Sequence, residues 1–529
     1  MRFILALLPL FVTATARERW VYLPANHQVE EEADRVIRLL ERAKSAGYDH
    51  ALLADSKFSR LGTLPGRYFA NLARVKETAS RLGIALVPAV FPVGYSNDML
   101  FHDPNLAEGL PVRDARFVVR EGKAVIEADP EVHLNGGSME NRRAWTFSDE
   151  SLKSIDGVMH SPPSDANARL HQKLKVSPFR QYHVSIRIRS KGLTGGIPEI
   201  KALGADGRSL QWTSIKVPPD QDWTRCDVTF NSLENREIGL YFGIWGGHQG
   251  DVWWDDAMIA ECGPVNLLRR PGAPLSIRTE DGKPLKEGID FEPPADSLLG
   301  NKPWPGEYTA WHEPPEIRTH GLADGTRLRV SYFHANIIHD GQVCACVGEP
   351  ALQRLLEDQA RRVHDALQPD SFLMSHDEWR VIGWDEVCAN RSPGRIAADN
   401  LRFCTDLLRK TAPSSRILVW SDMFDPHHNA VKLYYLANGS FEGSWDGLDR
   451  SVTVMNWNFG KRDESLGFFS ARGNHQIIAG FYDEPLENVG FWLDSAKNIP
   501  HIDGFMYTTW KQDYSKLEEV SKLLDAREF

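Results

Sequence analysis

Cysteine is scarce in this chain of 529 residues, with six in all. None has the C-x-x-C spacing of redox or zinc motifs, because Cys344-Ala-Cys346 is C-x-C. Cys226 and Cys262 lie close enough in sequence to pair within one small domain. The other four, Cys344, Cys346, Cys388 and Cys404, read as buried thiols. Positive charge is also in deficit: 61 Lys and Arg face 72 Asp and Glu, for a net −11. That balance excludes the basic face that nucleic-acid phosphates demand. No run reaches the roughly 18 apolar residues of a membrane-crossing helix, so no membrane span is expected. Low-complexity tracts and short-period repeats are missing too, and no cofactor or metal is expected.

What remains is a globular composition, 42% hydrophobic and 25% charged, with 16 tryptophans. Sixteen is abundant, and several fall at strand ends, where indole faces stack well on sugar rings; Trp is also ordinary core. The N-terminus reads as an export signal at 1–16. Arg2 supplies the charge, Phe3 to Val12 the short apolar run and Ala14-Thr15-Ala16 the cleavage pattern, with cleavage near Ala16 and an exported mature chain from about Arg17.

The length prior allows several domains. From 17 to 138, strand-like runs (Trp20–Ala25, His50–Asp55, Ile84–Phe91) alternate with segments of helical periodicity, the signature of a parallel α/β sheet. From 139 to 264 the period changes to two, as in Val184, Ile186 and Ile188, then Val228 and Phe230, then Leu240 and Phe242. This predicts an inserted all-β sandwich. Trp223–Asn231 and Asp251–Ile259 resemble the closing strands of carbohydrate-binding-module jelly rolls, so a sugar-binding or a purely structural insert is implied. A Pro-rich β linker fills 265–323. From 324 to 529 the alternation resumes, with runs at Arg327–Phe333, Ser371–Ser375, Ile417–Trp420, Val452–Trp457, Ile477–Tyr482 and Gly504–Trp510. The fold class expected is α/β: a (β/α)8 TIM barrel interrupted by the sandwich. Nine runs qualify as strands, one more than the barrel needs, and the surplus is expected among the early ones.

Chemistry is expected at carboxyl ends of barrel strands. There the sequence places His376-Asp377-Glu378, then Trp420 and Asp422, then Trp457, then Tyr482-Asp483, then Trp510. Adjacent carboxylates repel, so burying them together raises one pKa and leaves a proton donor beside an anion. The bland reading of an isolated Asp-Glu pair is a helix-capping charge cluster. The convergence of carboxylates and indoles is what favours a sugar site.

In order and content these strand ends resemble glycoside hydrolase family 20 and its relatives, including the family 123 type β-N-acetylgalactosaminidases, which carry an Asp-Glu pair at the end of the fourth barrel strand. The usual His-x-Gly-Gly-Asp-Glu is here Met374-Ser375-His376-Asp377-Glu378, and Tyr482 and Asp483 are adjacent rather than separated by one residue. The resemblance implies an exported β-N-acetylhexosaminidase, acting on a glycan with a terminal N-acetylhexosamine. In that chemistry the substrate's acetamide oxygen attacks the anomeric carbon. Glu378 would protonate the leaving oxygen and Asp377 would orient the acetamide. His376, Trp420, Asp422, Trp457, Tyr482, Asp483 and Trp510 would bind the sugar.

Three rivals stand beside it. One is a retaining glycosidase with Glu378 as acid/base and Glu484 as nucleophile. A second is a metal hydrolase built on Asp422, Asp425, His427 and His428. The third is a non-catalytic glycan-binding protein.

Overall fold

The computed structural model describes residues 17–339 and 341–529; the export signal read at 1–16 lies outside them. Eight parallel strands close into a barrel in chain order: β1 (Glu18–Pro24), β2 (His50–Ala54), β3 (Ala85–Val90), β4 (Ser371–Met374), β5 (Arg416–Trp420), β6 (Thr453–Asn456), β7 (Gln476–Phe481) and β8 (Ile502–Thr508). β1 pairs with β8 to seal the wall, Val21 opposite Tyr507. Buried on both faces, such strands read as near-continuous apolar runs. Their inward side chains fill the barrel: Trp20, Leu52, Val87, Leu373, Leu418, Met455, Ile477 and Met506 form one packed cluster.

The flanking helices are α1 (Glu30–Ser45), α2 (Gly66–Leu82), α3 (Pro350–Leu367), α4 (Pro393–Thr411), α5 (Arg462–Arg472), α6 (Glu487–Ala496) and α7 (Leu517–Ala526). α1 shows why they form. Ala33, Val36, Leu40 and Ala43 make one buried stripe, and Glu30 to Glu32 at its start and Arg42 and Lys44 at its end oppose the helix dipole. α4 starts on Ser392, whose hydroxyl accepts the Arg395 N–H at 3.2 Å, with Pro393 in its first turn. The β5–β6 connection carries 3-10 turns in place of an α-helix.

The surplus strand is Arg327–Ala335. Expected in the barrel wall, it instead joins a five-stranded antiparallel sheet with Gly109–Arg120, Lys123–Ile126, Ser276–Thr279 and Ile317–Arg318. Its own alternation is the physical reason. Leu328, Val330 and Tyr332 are buried while Arg327, Arg329 and Ser331 are not, which suits a sheet with one wet face and not a barrel strand buried on both. This sheet therefore takes in part of the stretch assigned to the first barrel segment and part of the Pro-rich linker.

Eight antiparallel strands between Phe147 and Glu261 form the inserted sandwich. Val184, Ile186, Ile188, Val228, Phe230, Leu240 and Phe242 are all buried, as their period-two spacing requires. Cys226 and Cys262 do not pair; all six thiols are free. Cys226 lies opposite Ile186, whereas Cys262 follows Glu261, which lies opposite Tyr182 on the other flank of the same strand. Five residues along and two strands across is beyond the reach of a disulfide. The insert is joined to the five-stranded sheet through buried His334, whose ring nitrogens contact Gln181 Nε2 at 3.2 Å and Asn231 Nδ2 at 3.0 Å.

Candidate active site

The parity of β4 decides what reaches the barrel mouth. Leu373 faces the barrel interior, Ser375 and Asp377 line the cavity above it, and Phe372 and Met374 pack outward against the helices. His376 follows the outward set. It is fully buried, its Nε2 is 2.8 Å from Asn400 Oδ1 on α4, and burial lowers its pKa to about 4. It is a neutral bracket between strand and helix and does not line the cavity. Glu378 would be next to point outward, but its backbone turns left-handed (φ 48°) and brings the side chain back into the mouth. Its N–H is held by Asp422 Oδ2 at 2.8 Å.

The cavity is about 600 Å³. Trp420, Trp457, Trp510 and Tyr22 wall it, with Asp377 and Glu378 on one side. The rings form a continuous band: Tyr22 to Trp510 is 5.0 Å between centroids, Trp420 to Trp510 6.2 Å, Tyr482 to Trp510 5.8 Å and Tyr482 to Trp457 5.9 Å. Trp510 is half exposed, leaving an indole face for a ligand.

The two carboxyl groups have different surroundings. Glu378 Oε1 is 2.8 Å from Arg380 Nη2, and Tyr95 donates its hydroxyl to Oε2. Arg380 also donates to the Tyr95 oxygen at 3.0 Å and to Gln342 Oε1 at 2.6 Å. Gln342 Nε2 in turn donates to the carbonyls of Glu378 (2.7 Å) and Gly94 (3.1 Å). Asp377 has no such cation: burial, then the charges of Asp422 and Glu378, push its carboxyl up to about 8. Near neutral pH the empty site therefore favours a proton on Asp377.

That proton has a consequence for stability. A carboxyl whose pKa is raised on folding adds stability below its unfolded value, near 4, and that contribution is lost as pH rises through about 8. Asp377→Asn, neutral at every pH, is expected to raise the melting temperature by several degrees at pH 8 and by much less at pH 5. A shift of equal size at both pH values would show that Asp377 is already ionised in the folded protein.

Two other expected binders are turned to scaffolding. Asp422 is fully buried; Oδ2 accepts from Glu378 N and from Asn429 Nδ2 (2.9 Å), and Oδ1 accepts from the Trp457 indole N–H (3.3 Å). It holds the Glu378 loop and the Trp457 ring in place. Asp483 accepts the Thr509 hydroxyl and the N–H groups of Trp510 (2.8 Å) and Lys511 (3.0 Å), so it fixes the loop that presents Trp510. Tyr482 sits between these two on a strained turn, Phe481 to Asp483 all having positive φ. Its buried hydroxyl has no protein partner, and its pKa is raised by burial and then by Asp422, Asp377 and Glu378.

Glu484 is exposed and does not line the cavity. Nor do Asp422, Asp425, His427 and His428 converge as metal ligands. His427 packs on Phe468 and His428 on Trp457, while Asp425 is taken by Ser465 (2.6 Å), Asn458 (3.1 Å) and the His427 N–H (2.8 Å).

Sequence reasoning passed over Tyr95, Arg380, Gln342 and Tyr22. Arg380 was within reach, two residues beyond Glu378. Tyr95 stands in the Pro92-Val-Gly-Tyr-Ser-Asn ending of the third strand run, but nothing local says it meets Glu378. Gly94 is the other silent member. A Cβ there would overlap the Asp377 carbonyl oxygen, so only glycine lets this loop approach the pair. Gly94→Ala is expected to cost about 1–3 kcal/mol of stability. Thermal melts check it; an unchanged melting temperature would show that the loop gives way without cost.

No protein-family model matches the sequence, and no curated protein matches it. Among solved structures, the chain is similar to a rhamnosidase from Novosphingobium sp. PP1Y at 11% identity and a TM-score of 0.34, over 97% of this chain and 58% of that one. It is also similar to an exo-β-agarase (9% identity, TM-score 0.25, 74% of this chain and 99% of that one). A family 16 carbohydrate-binding module matches at 14% identity and a TM-score of 0.19, over 24% of this chain and 98% of the module. The chain thus spans little more than half of the rhamnosidase. These are distant likenesses of fold; the chemistry has to come from the pocket.

Proposed function

We propose that this chain is a glycoside hydrolase that releases a terminal N-acetylhexosamine from a glycan by substrate-assisted catalysis, and that it works as an exported enzyme. One observation carries the reading. Among the described residues, the carboxylates that line the cavity are Asp55, Asp377 and Glu378. Asp55 is already consumed: it bonds His27 Nδ1 (2.6 Å), His27 N (3.1 Å), the Tyr68 hydroxyl (3.0 Å) and Lys57 N (2.9 Å). That leaves a neighbouring pair and no further carboxylate to attack the anomeric carbon. A nucleophile carried by the substrate itself supplies what the pocket lacks.

In this mechanism the sugar ring stacks on the indole band and its acetamide points toward Asp377 and Tyr482. The acetamide N–H donates to Asp377, which favours the carboxylate there. Because the two groups repel, the proton then favours Glu378, now beside the leaving oxygen. The acetamide oxygen bonds to the anomeric carbon, the glycosidic C–O bond breaks, and Glu378 gives its proton to the departing hydroxyl. Water opens the resulting oxazolinium ring, whose positive charge Asp377 balances, while Glu378 takes a proton back. Arg380 and Tyr95 steady the Glu378 anion formed between the steps. Tyr482, whose hydroxyl has no protein partner, donates to the acetamide oxygen.

A panel of p-nitrophenyl glycosides tests the reading. Release is expected from the N-acetylglucosaminide or the N-acetylgalactosaminide and not from the matching glucoside or galactoside. Turnover of the plain hexosides at equal rates would defeat it. Glycan binding without release from any of them would favour a non-catalytic binder.

A further inference from the structure

Away from the cavity, Glu108, Cys346, Asp385 and Cys388 bring one ligand atom each within 4.8 Å of one another, and all four side chains are buried. They come from three segments that meet only in the fold. Glu108 precedes the strand Gly109–Arg120, Cys346 precedes α3, and Asp385 and Cys388 share the turn before α4. Cys346 Sγ and Cys388 Sγ are 3.5 Å apart. A disulfide needs about 2.05 Å. Two thiolates on one tetrahedral zinc, each about 2.3 Å from the ion, stand about 3.8 Å apart, close to the spacing found.

We propose that these four side chains form a structural zinc site. Two thiolates and two carboxylates make a closed four-ligand set. The thiolates disfavour magnesium and calcium, and the carboxylates disfavour copper(I). The carboxylates have the outer hydrogen bonds that ligands of this kind carry. Glu108 Oε1 accepts the Trp384 N–H at 2.8 Å, Asp385 Oδ1 accepts the Cys388 N–H at 3.1 Å, and Asp385 Oδ2 accepts from Arg270 at 2.7 Å. Arg270, which also pairs with Glu349, places a positive charge beside a site that four anionic ligands leave net negative. Binding displaces the protons that the ligand atoms carry and leaves the ion without an open position for water.

The location gives the ion a task. Cys346 lies four residues beyond Gln342, and Asp385 lies five beyond Arg380; Gln342 and Arg380 are two of the residues that hold Glu378. The zinc joins those two segments from behind, so it stiffens the support of the acid. Its existence does not depend on which sugar the enzyme cleaves.

Elemental analysis of the purified full chain is expected to find about one zinc per chain. Cobalt loaded in its place should show a thiolate-to-metal charge-transfer band. Both signals should vanish in Cys346→Ser/Cys388→Ser and weaken in the milder Glu108→Gln, and a chelator should lower the melting temperature of the wild type. A metal-free wild type with six alkylatable thiols overturns the proposal. So does a Cys346–Cys388 disulfide found by peptide mapping in a chain lighter by two hydrogens, or a zinc content that the variants leave unchanged. If the double variant fails to fold, the wild-type metal content, its cobalt spectrum and Glu108→Gln decide.

Discussion

Glu378→Gln is expected to lower kcat/KM on a natural, unactivated glycan by about 10²–10⁴-fold, the usual cost of removing a general acid. On an aryl glycoside whose leaving group departs without a proton, the loss should be far smaller. The amide keeps the shape of the side chain and can still meet Tyr95, so protein stability and substrate binding should change little. What it cannot do is give up a proton as the glycosidic bond breaks. Comparing the two substrates on the same variant separates proton donation from misfolding, since a damaged pocket lowers both rates alike. Equal losses on both would remove Glu378 from the acid role.

The second large effect separates the two carboxylate mechanisms. With the acetamide as nucleophile, Asp377→Ala should reduce turnover of N-acetylhexosaminides by about 10²-fold or more, because the attacking group loses both its orientation and the charge that balances the cyclised intermediate. Glu484→Ala should keep most of the activity, consistent with an exposed side chain outside the cavity. A thiazoline that mimics the cyclised intermediate should inhibit the wild type far more tightly than the product sugar does, since the pocket is built for that species. The pattern inverts if Glu484 is the nucleophile: Glu484→Ala is then inactive, azide rescues it with inverted product, and the thiazoline binds poorly. Azide rescue of Glu484→Ala is the single result that would discard the substrate-assisted mechanism.

Local sequence was a good guide wherever one chain segment carries the whole signal. The apolar runs of the barrel strands, the period-two pattern of Val184 to Ile188 and the helical stripe of α1 each depend on neighbours a few residues away, and each appears as read. Arg327–Phe333 shows the limit. It is strand-like, but its alternation distinguishes a one-faced sheet from a barrel wall only once the alternating arginines are weighed, and its partners lie about fifty and about two hundred residues back in the chain.

The site divides along the same line. Sequence by itself determined that an Asp-Glu pair follows a barrel strand, that four strands come after it, and that tryptophans stand near their ends, because residue type and strand order are properties of one chain direction. Tertiary structure decided which of those residues face the cavity. Strand parity turns His376 toward α4 while Asp377 faces inward, and the left-handed turn at Glu378 overrides that parity. Asp422 and Asp483 look like sugar ligands in sequence, yet their oxygens are taken up by backbone and indole N–H groups of neighbouring loops. The proton's place on Asp377, and the contacts that Arg380 and Tyr95 make with the Glu378 carboxyl group, arise from loops brought together only by closing the barrel. Electrostatics and desolvation act through space, and the order of residues along the chain does not contain those distances.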